Sequence, residues 1–192
     1  MSLQIAQEDS ADMVLSTNAF ALLAGMLLDQ QFPMERAFAG PATILDRFGT
    51  LDPAVIAGAP AEEFAEVCAR RPAVHRFPGA MAGRLQALAR HVSDEYGGDT
   101  AALWRTAASG QELLGRLLAL PGFGQQKAKI FVALLGKQLG VRPEGWESVA
   151  GAYAEEGAFR SVADVRDRAS LEKVRAFKQA QKAEAKAAQG SA

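Results

Sequence analysis

The chain has 192 residues, 49% of them hydrophobic, and a formal net charge of −1. That length suits one domain or two small, closely packed ones with ample apolar material for a core, and the near-neutral charge excludes a protein that coats nucleic acid by electrostatics alone. A single cysteine and two histidines exclude an internal disulfide and a four-cysteine cluster, and they argue against a cysteine/histidine metal site.

Alanine and leucine dominate, β-branched residues are sparse, and no run alternates with period two, so the chain reads as all-α. Residues 1–13 are polar and form a loose arm or the start of a first helix. Residues 14–31 carry a helical stripe of Leu15, Ala19, Leu22, Leu23, Met26 and Leu27. The apolar run within it is too short to span a membrane and no signal peptide is visible, so a cytoplasmic location is expected. Pro33 and Met34 open a second helix that stops at Gly49. Asp52-Pro53 is a helix start, a capping carboxylate followed by proline at the first helical position, and leads into residues 54–57. Pro60 introduces a helix over 61–69, in which Cys68 reads as a small buried apolar residue. Arg70-Arg71-Pro72 breaks it, and His75 beyond is either a phosphate contact or part of a charged, solvated loop. A long helix over 80–96 ends at Gly97-Gly98, Asp99-Thr100 caps 101–107, and Gly110 precedes 111–119. Further on, 125–139 is helical, 141–146 is a loop, and 147–154 is a short helix. Ser161 and Asp164 form a capping pair before a last helix reaching Phe177. Residues 179–192 lack apolar anchors and are expected to be a frayed or disordered tail.

The chain is organised around Leu120-Pro121-Gly122-Phe123-Gly124, between two helical patterns. Pro121 removes a backbone donor and disfavours helix at Leu120, so the first helix stops there. Gly122 and Gly124 permit positive φ and close approach of another backbone. The helix that follows starts with free N–H groups and the positive end of its dipole, a setting that suits a phosphate. Lys127 and Lys129 lie just inside it. Two readings stand: an ordinary Pro-Gly turn between core helices, or a hairpin that grips a nucleic-acid backbone without reading bases. No acidic residue occurs between Glu112 and Glu144, while Arg116, Lys127, Lys129, Lys137 and Arg142 all fall in that interval. Such clustering favours a polyanion partner.

These residues carry a resemblance to the helix-hairpin-helix (HhH-GPD) DNA glycosylase superfamily, which includes endonuclease III. Leu120-Pro121-Gly122-Phe123-Gly124 followed by Ala128 resembles the family hairpin, and Leu27-Leu28-Asp29-Gln30-Gln31 resembles its Leu-Ser-Gln-Gln element. The number and order of helices between them agree, over residues 19–144. The resemblance implies that Leu120, Gly122, Phe123, Gly124, Gln125, Gln126, Lys127 and Lys129 contact the DNA backbone, with a possible monovalent cation on hairpin carbonyls. It implies that Gln31 enters the duplex where a target base has left. It puts Glu144 where the family has its catalytic aspartate, in Arg-Pro-Glu-Gly, so Glu144 is either that carboxylate or a solvated loop residue. Asp164 and Asp167 lie further downstream, in a separate helix. Gln126 occupies the place of the lysine in strand-cleaving members, with Lys127 one position, about 100°, further round the helix. Lacking that amine, base removal would use water and form no Schiff base. The iron–sulfur tail of endonuclease III has no counterpart, because no cysteine follows Cys68. Trp104, Trp146, Phe32 and Phe77 are either core aromatics or stacking partners for an extruded base; Trp146 is the pocket candidate.

The expected architecture is a two-lobed, all-α fold. One lobe is a bundle over 32–139 with the helix-hairpin-helix at about 111–139; the other combines 1–31 with 140–178. The expected partner is double-stranded DNA carrying a lesion or mismatch, met by a monomer that is nucleoid-associated and has no membrane contact. The expected activity is monofunctional base excision, with Glu144 as carboxylate and Lys127 as a secondary amine candidate. The alternatives are an inactive member that senses lesions or DNA structures, and a hairpin used only as a protein-interaction turn.

Overall fold

The computed structural model describes residues 2–189, and every regular element among them is helical. Helices α1 (Asp9–Thr17) and α2 (Ala19–Leu28) are separate, bent by 116° at Asn18, rather than the one helix expected over 14–31. Asn18 is extended and its side chain accepts the Ala21 N–H at 2.9 Å, a cap that stops one helix and starts the next. Residues 20–28 of α2 are all buried. The segment before α1 is no loose arm: Leu3 and Ile5 join the core, and the buried Asp12 carboxylate accepts the Ala6 N–H at 2.7 Å. Burial raises the Asp12 carboxyl pKa, against main-chain donors that lower it.

Helix α3 (Met34–Phe48) ends at Gly49 in the left-handed conformation. Asp52 caps α4 (Pro53–Gly58) by accepting from the Ala54 and Val55 amides. Helices α5 (Ala61–Ala69) and α6 (Pro78–Tyr96) follow, and α6 packs against α4, α5 and α2. After the short α7 (Ala102–Arg105) come α8 (Gly110–Leu118) and α9 (Gln125–Gln138), the two arms of the hairpin. Helix α9 is buried at Ala128 and along residues 131–137, and it is enclosed by α8, α10 (Trp146–Ala150) and two 3-10 turns, Gly151–Ala154 and Val162–Asp164.

Ser161 and Asp164 do form a reciprocal capping box, but it closes a single 3-10 turn rather than opening a long helix. The last helix, α11 (Arg168–Gln189), starts after Asp167, whose carboxylate accepts the Ser170 amide at 2.7 Å. It is pinned by buried Leu171 and Val174. The tail expected over 179–192 is helical as far as Gln189; the remainder lies outside the described residues. Alanine, lysine, glutamate and glutamine are strong helix formers, so a helix nucleated on Leu171 and Val174 propagates without further apolar anchors. No single helix among the described residues is long and apolar enough to cross a membrane.

Candidate nucleic-acid interface and cleft

The hairpin is held from beneath by its apolar residues. Leu120 and Phe123 are buried; the Phe123 N–H donates to the Leu120 carbonyl at 3.2 Å, and the Phe123 ring meets Phe131 edge-on at 6.1 Å. Their side chains therefore support the turn, and only their backbone faces outward. Gly122 has φ +83°, and a Cβ there would lie 2.5 Å from Leu27 Cδ1. Two independent constraints, conformation and the close approach of α2, thus require glycine. Gly124, Gln125 and Gln126 are exposed, and among the described residues their N–H groups have no acceptor. Three free donors at the positive end of a 14-residue helix make an anion cradle.

The basic patch expected around this cradle is largely used up inside the fold. Lys137 is buried, pairing with Asp164 at 2.6 Å and donating to the Glu155 carbonyl. Arg116 pairs with Glu112 and donates to the Ala102, Leu103 and Thr106 carbonyls. Arg142 donates to the Gly136 carbonyl and lies over the Trp146 ring. Lys127 Nζ donates to the Met26 and Leu27 carbonyls at 2.7 and 3.0 Å, tying the start of α9 to the end of α2. Burial lowers its pKa to about 8, against the attraction of the Asp29 carboxylate. Of the five cations in the acid-free interval, Lys129 alone has no hydrogen bond or ion pair among the described residues. A cation count along the sequence cannot see carbonyl partners, which is why the patch was overstated.

The turn from α2 to α3 resolves the two adjacent glutamines into different roles. Gln30 is fully engaged: its amide donates to the Leu27 carbonyl, its side-chain oxygen accepts from Arg84, and its own carbonyl meets His75 Nε2 at 2.9 Å. His75 is buried rather than solvated. The Phe77 N–H donates to its Nδ1, which places the ring proton on Nε2, facing Gln30. Gln31 is exposed and sits at φ +52°, a conformation that costs a non-glycine residue about 1–3 kcal/mol.

Beside this turn opens a cleft of about 870 Å³. Asp29, Gln31 and Phe32 line one side, Gln126 of α9 another, and Lys178 and Lys182 of α11 a third. Gln126 faces the cleft and donates to the Tyr153 hydroxyl at 3.0 Å; Lys127 does not line it. Glu144 is exposed and lies elsewhere: its carbonyl accepts the Gly110 N–H at 2.7 Å, at the start of α8. Trp146 is buried, with its indole on Gly136, ten residues or about 15 Å of helix beyond Gln126. Its bulk replaces the missing side chain of Gly136, a core contact rather than a pocket wall. The third side of the cleft is not visible in the sequence, because it includes the part of α11 beyond 178 where a tail is expected; nor are the places of Asp29 and Tyr153. Among the described residues no group of three or more histidine, cysteine, aspartate or glutamate side chains is placed to hold a metal ion.

A family model described as HhH-GPD superfamily base excision DNA repair protein matches residues 24–190, from within α2 past the last described turn of α11. No curated protein and no solved structure matches the chain.

Proposed function

Since the chain belongs to the HhH-GPD superfamily of base excision DNA repair proteins, we propose that it is a monofunctional DNA glycosylase acting on a damaged or mispaired base in duplex DNA. One observation carries this reading: Gln31, Gln126 and a cleft of about 870 Å³ are brought together beside the hairpin. That volume lies in the range of small-molecule sites and admits an extruded base with its sugar. The amides of Gly124, Gln125 and Gln126 grip phosphate without reading sequence. Gln31, held out by the fixed Gln30, fills the gap left in the stack and hydrogen-bonds the orphaned partner base. A monovalent cation at the hairpin would be held by main-chain oxygens, neutral donors suited to a hard ion, and would add positive charge beside the phosphate.

The group on the hairpin helix that faces the cleft is the Gln126 amide, which is not a nucleophile; Lys127 Nζ is committed to the end of α2. Water is therefore the attacking group and the product is an intact abasic strand. The test is strand cleavage on duplexes carrying uracil, alkylated, oxidised or mismatched bases, with and without alkali. Breaks that appear only after alkali support the reading. Breaks without alkali, with a covalent adduct trapped by borohydride, refute the monofunctional assignment.

A second reading keeps the binding and drops the chemistry. It is favoured by the position of Glu144, outside the cleft, which leaves neither family catalytic position supplying a reactive group there. Lesion-selective binding with no abasic product on any duplex would establish it.

A further inference from the structure

We propose that Asp29 is the carboxylate that drives base release in this cleft, an assignment that rests on the glycosylase reading above. Two acidic residues line the cleft, Asp29 and Glu35. Glu35 is closed off: one oxygen pairs with Arg175 and the other is buried without a partner. Asp29 differs. Its side chain is 12% exposed, its Oδ2 lies 3.7 Å from Lys178 Nζ across the cleft, and among the described residues no donor hydrogen-bonds its carboxylate. At that separation Lys178 attracts the carboxylate without occupying an oxygen. Lys127 holds the Met26 and Leu27 carbonyls near the end of α2 and adds a second positive charge close to Asp29.

The helix itself does not favour this placement. Asp29 is the residue that ends α2, where the helix dipole is negative and a carboxylate is disfavoured. Asp29 is thus a largely buried acid whose oxygens accept no hydrogen bond among the described residues and which lines the cleft, the arrangement of a carboxylate free to act on what the cleft holds.

In the proposed step the C1′–N bond breaks and its electron pair leaves with the base, which takes a proton from solvent. Positive charge develops on the sugar ring, and the Asp29 carboxylate stabilises it. A water oxygen then bonds to C1′ from the side of Asp29, and the carboxylate accepts the proton that the water loses.

The test does not require the lesion to be known. Two duplexes of one sequence are compared by fluorescence anisotropy, one carrying a neutral tetrahydrofuran abasic analogue and one a cationic pyrrolidine analogue. Wild-type protein should bind the cationic duplex at least about tenfold more tightly, as transition-state mimics do. Asp29→Asn should bind the two within about twofold while its Tm is unchanged or higher. Glu144→Gln is the competing assignment. Loss of the cationic preference in Glu144→Gln, or its retention in Asp29→Asn, overturns the proposal, as does a wild type without the preference. On any duplex from which the wild type releases base, Asp29→Asn should be slower by about 100-fold or more. Full release by the variant refutes Asp29 alone. A wild type that releases no base and prefers neither analogue over intact duplex refutes the function itself.

Discussion

Gly122→Ala is the perturbation that most directly tests how the hairpin is built. At φ +83° an alanine pays about 1–2 kcal/mol for its Cβ against the following carbonyl. The same Cβ would stand 2.5 Å from Leu27 Cδ1, well inside the optimal carbon–carbon separation of about 3.5–4.0 Å. Leu27 is fully buried and cannot swing into solvent, so overpacking adds about 1–3 kcal/mol. The middle of the combined range is about 3.5 kcal/mol, and in a chain of this length that lowers Tm by about 7–14 °C. Urea denaturation of Gly122→Ala, Leu27→Ala and the double variant separates the two causes. Truncating Leu27 makes room for the new methyl group, so the double variant should be about 1–3 kcal/mol more stable than the sum of the single losses. Of the Gly122→Ala loss only the backbone part would remain in it, beside the cavity cost of Leu27→Ala. A Tm within 1 °C of wild type for Gly122→Ala, or strict additivity in the double variant, would refute the close approach of α2 to the hairpin.

Lys137→Met should cost about 3–5 kcal/mol, read by urea denaturation, because it strands the buried Asp164 carboxylate. Lys182→Ala, at an exposed cleft position, should reduce the slope of log K against log salt by about 0.9 for duplex binding, with stability unchanged. Gln31→Gly should raise stability by up to about 1 kcal/mol by relieving the left-handed backbone, yet lower the preference for lesion-bearing over intact duplex. Cys68 is buried and its thiol is pushed up to about 12 by desolvation. Native protein should therefore resist iodoacetamide at pH 8 and label only on unfolding. Above pH 9 the unfolded thiol loses its proton while the folded one keeps it, so the folded state binds more protons and this residue makes stability fall as pH rises. Cys68→Ala should show a shallower alkaline decline.

The parts of the fold that were legible in the sequence are those whose cause is local. Asp52 before Pro53, the glycine after Phe48, and Gly122 after Pro121 each state their geometry within a few residues and stand where expected, whereas Gly124 is extended, at φ −94°, with open space beside it. The break at Asn18 was hidden because α2 is buried on every side, so no polar stripe marks its phase against α1. The fate of the cations was hidden for a different reason: Lys127 and Arg116 end on main-chain carbonyls 100 residues and 13 residues away in sequence. Charge patterning records only ionisable groups. The third side of the cleft is illegible because that end of α11 has no apolar anchors of its own: the helix needs only Leu171 and Val174 and then continues by propensity. Gln30 and Gln31 are chemically identical in the sequence; Arg84 and His75, 54 and 45 residues away, tell them apart.

The bond from Lys127 to the last carbonyls of α2 has a geometrical corollary. It welds the phosphate cradle to the turn that presents Gln31, and Leu27 packed under Gly122 closes the same joint from the other side. On the proposed function, cradle and Gln31 would act as the two jaws of a caliper. The nucleotide tested by Gln31 would stand at a constant offset from the phosphate that is gripped, so travel along a duplex advances both in whole base-pair steps. A duplex seated on both would bend between them more readily than this joint opens. Sequences that kink easily would thus be inspected at less cost than stiff ones, before a single base edge is touched.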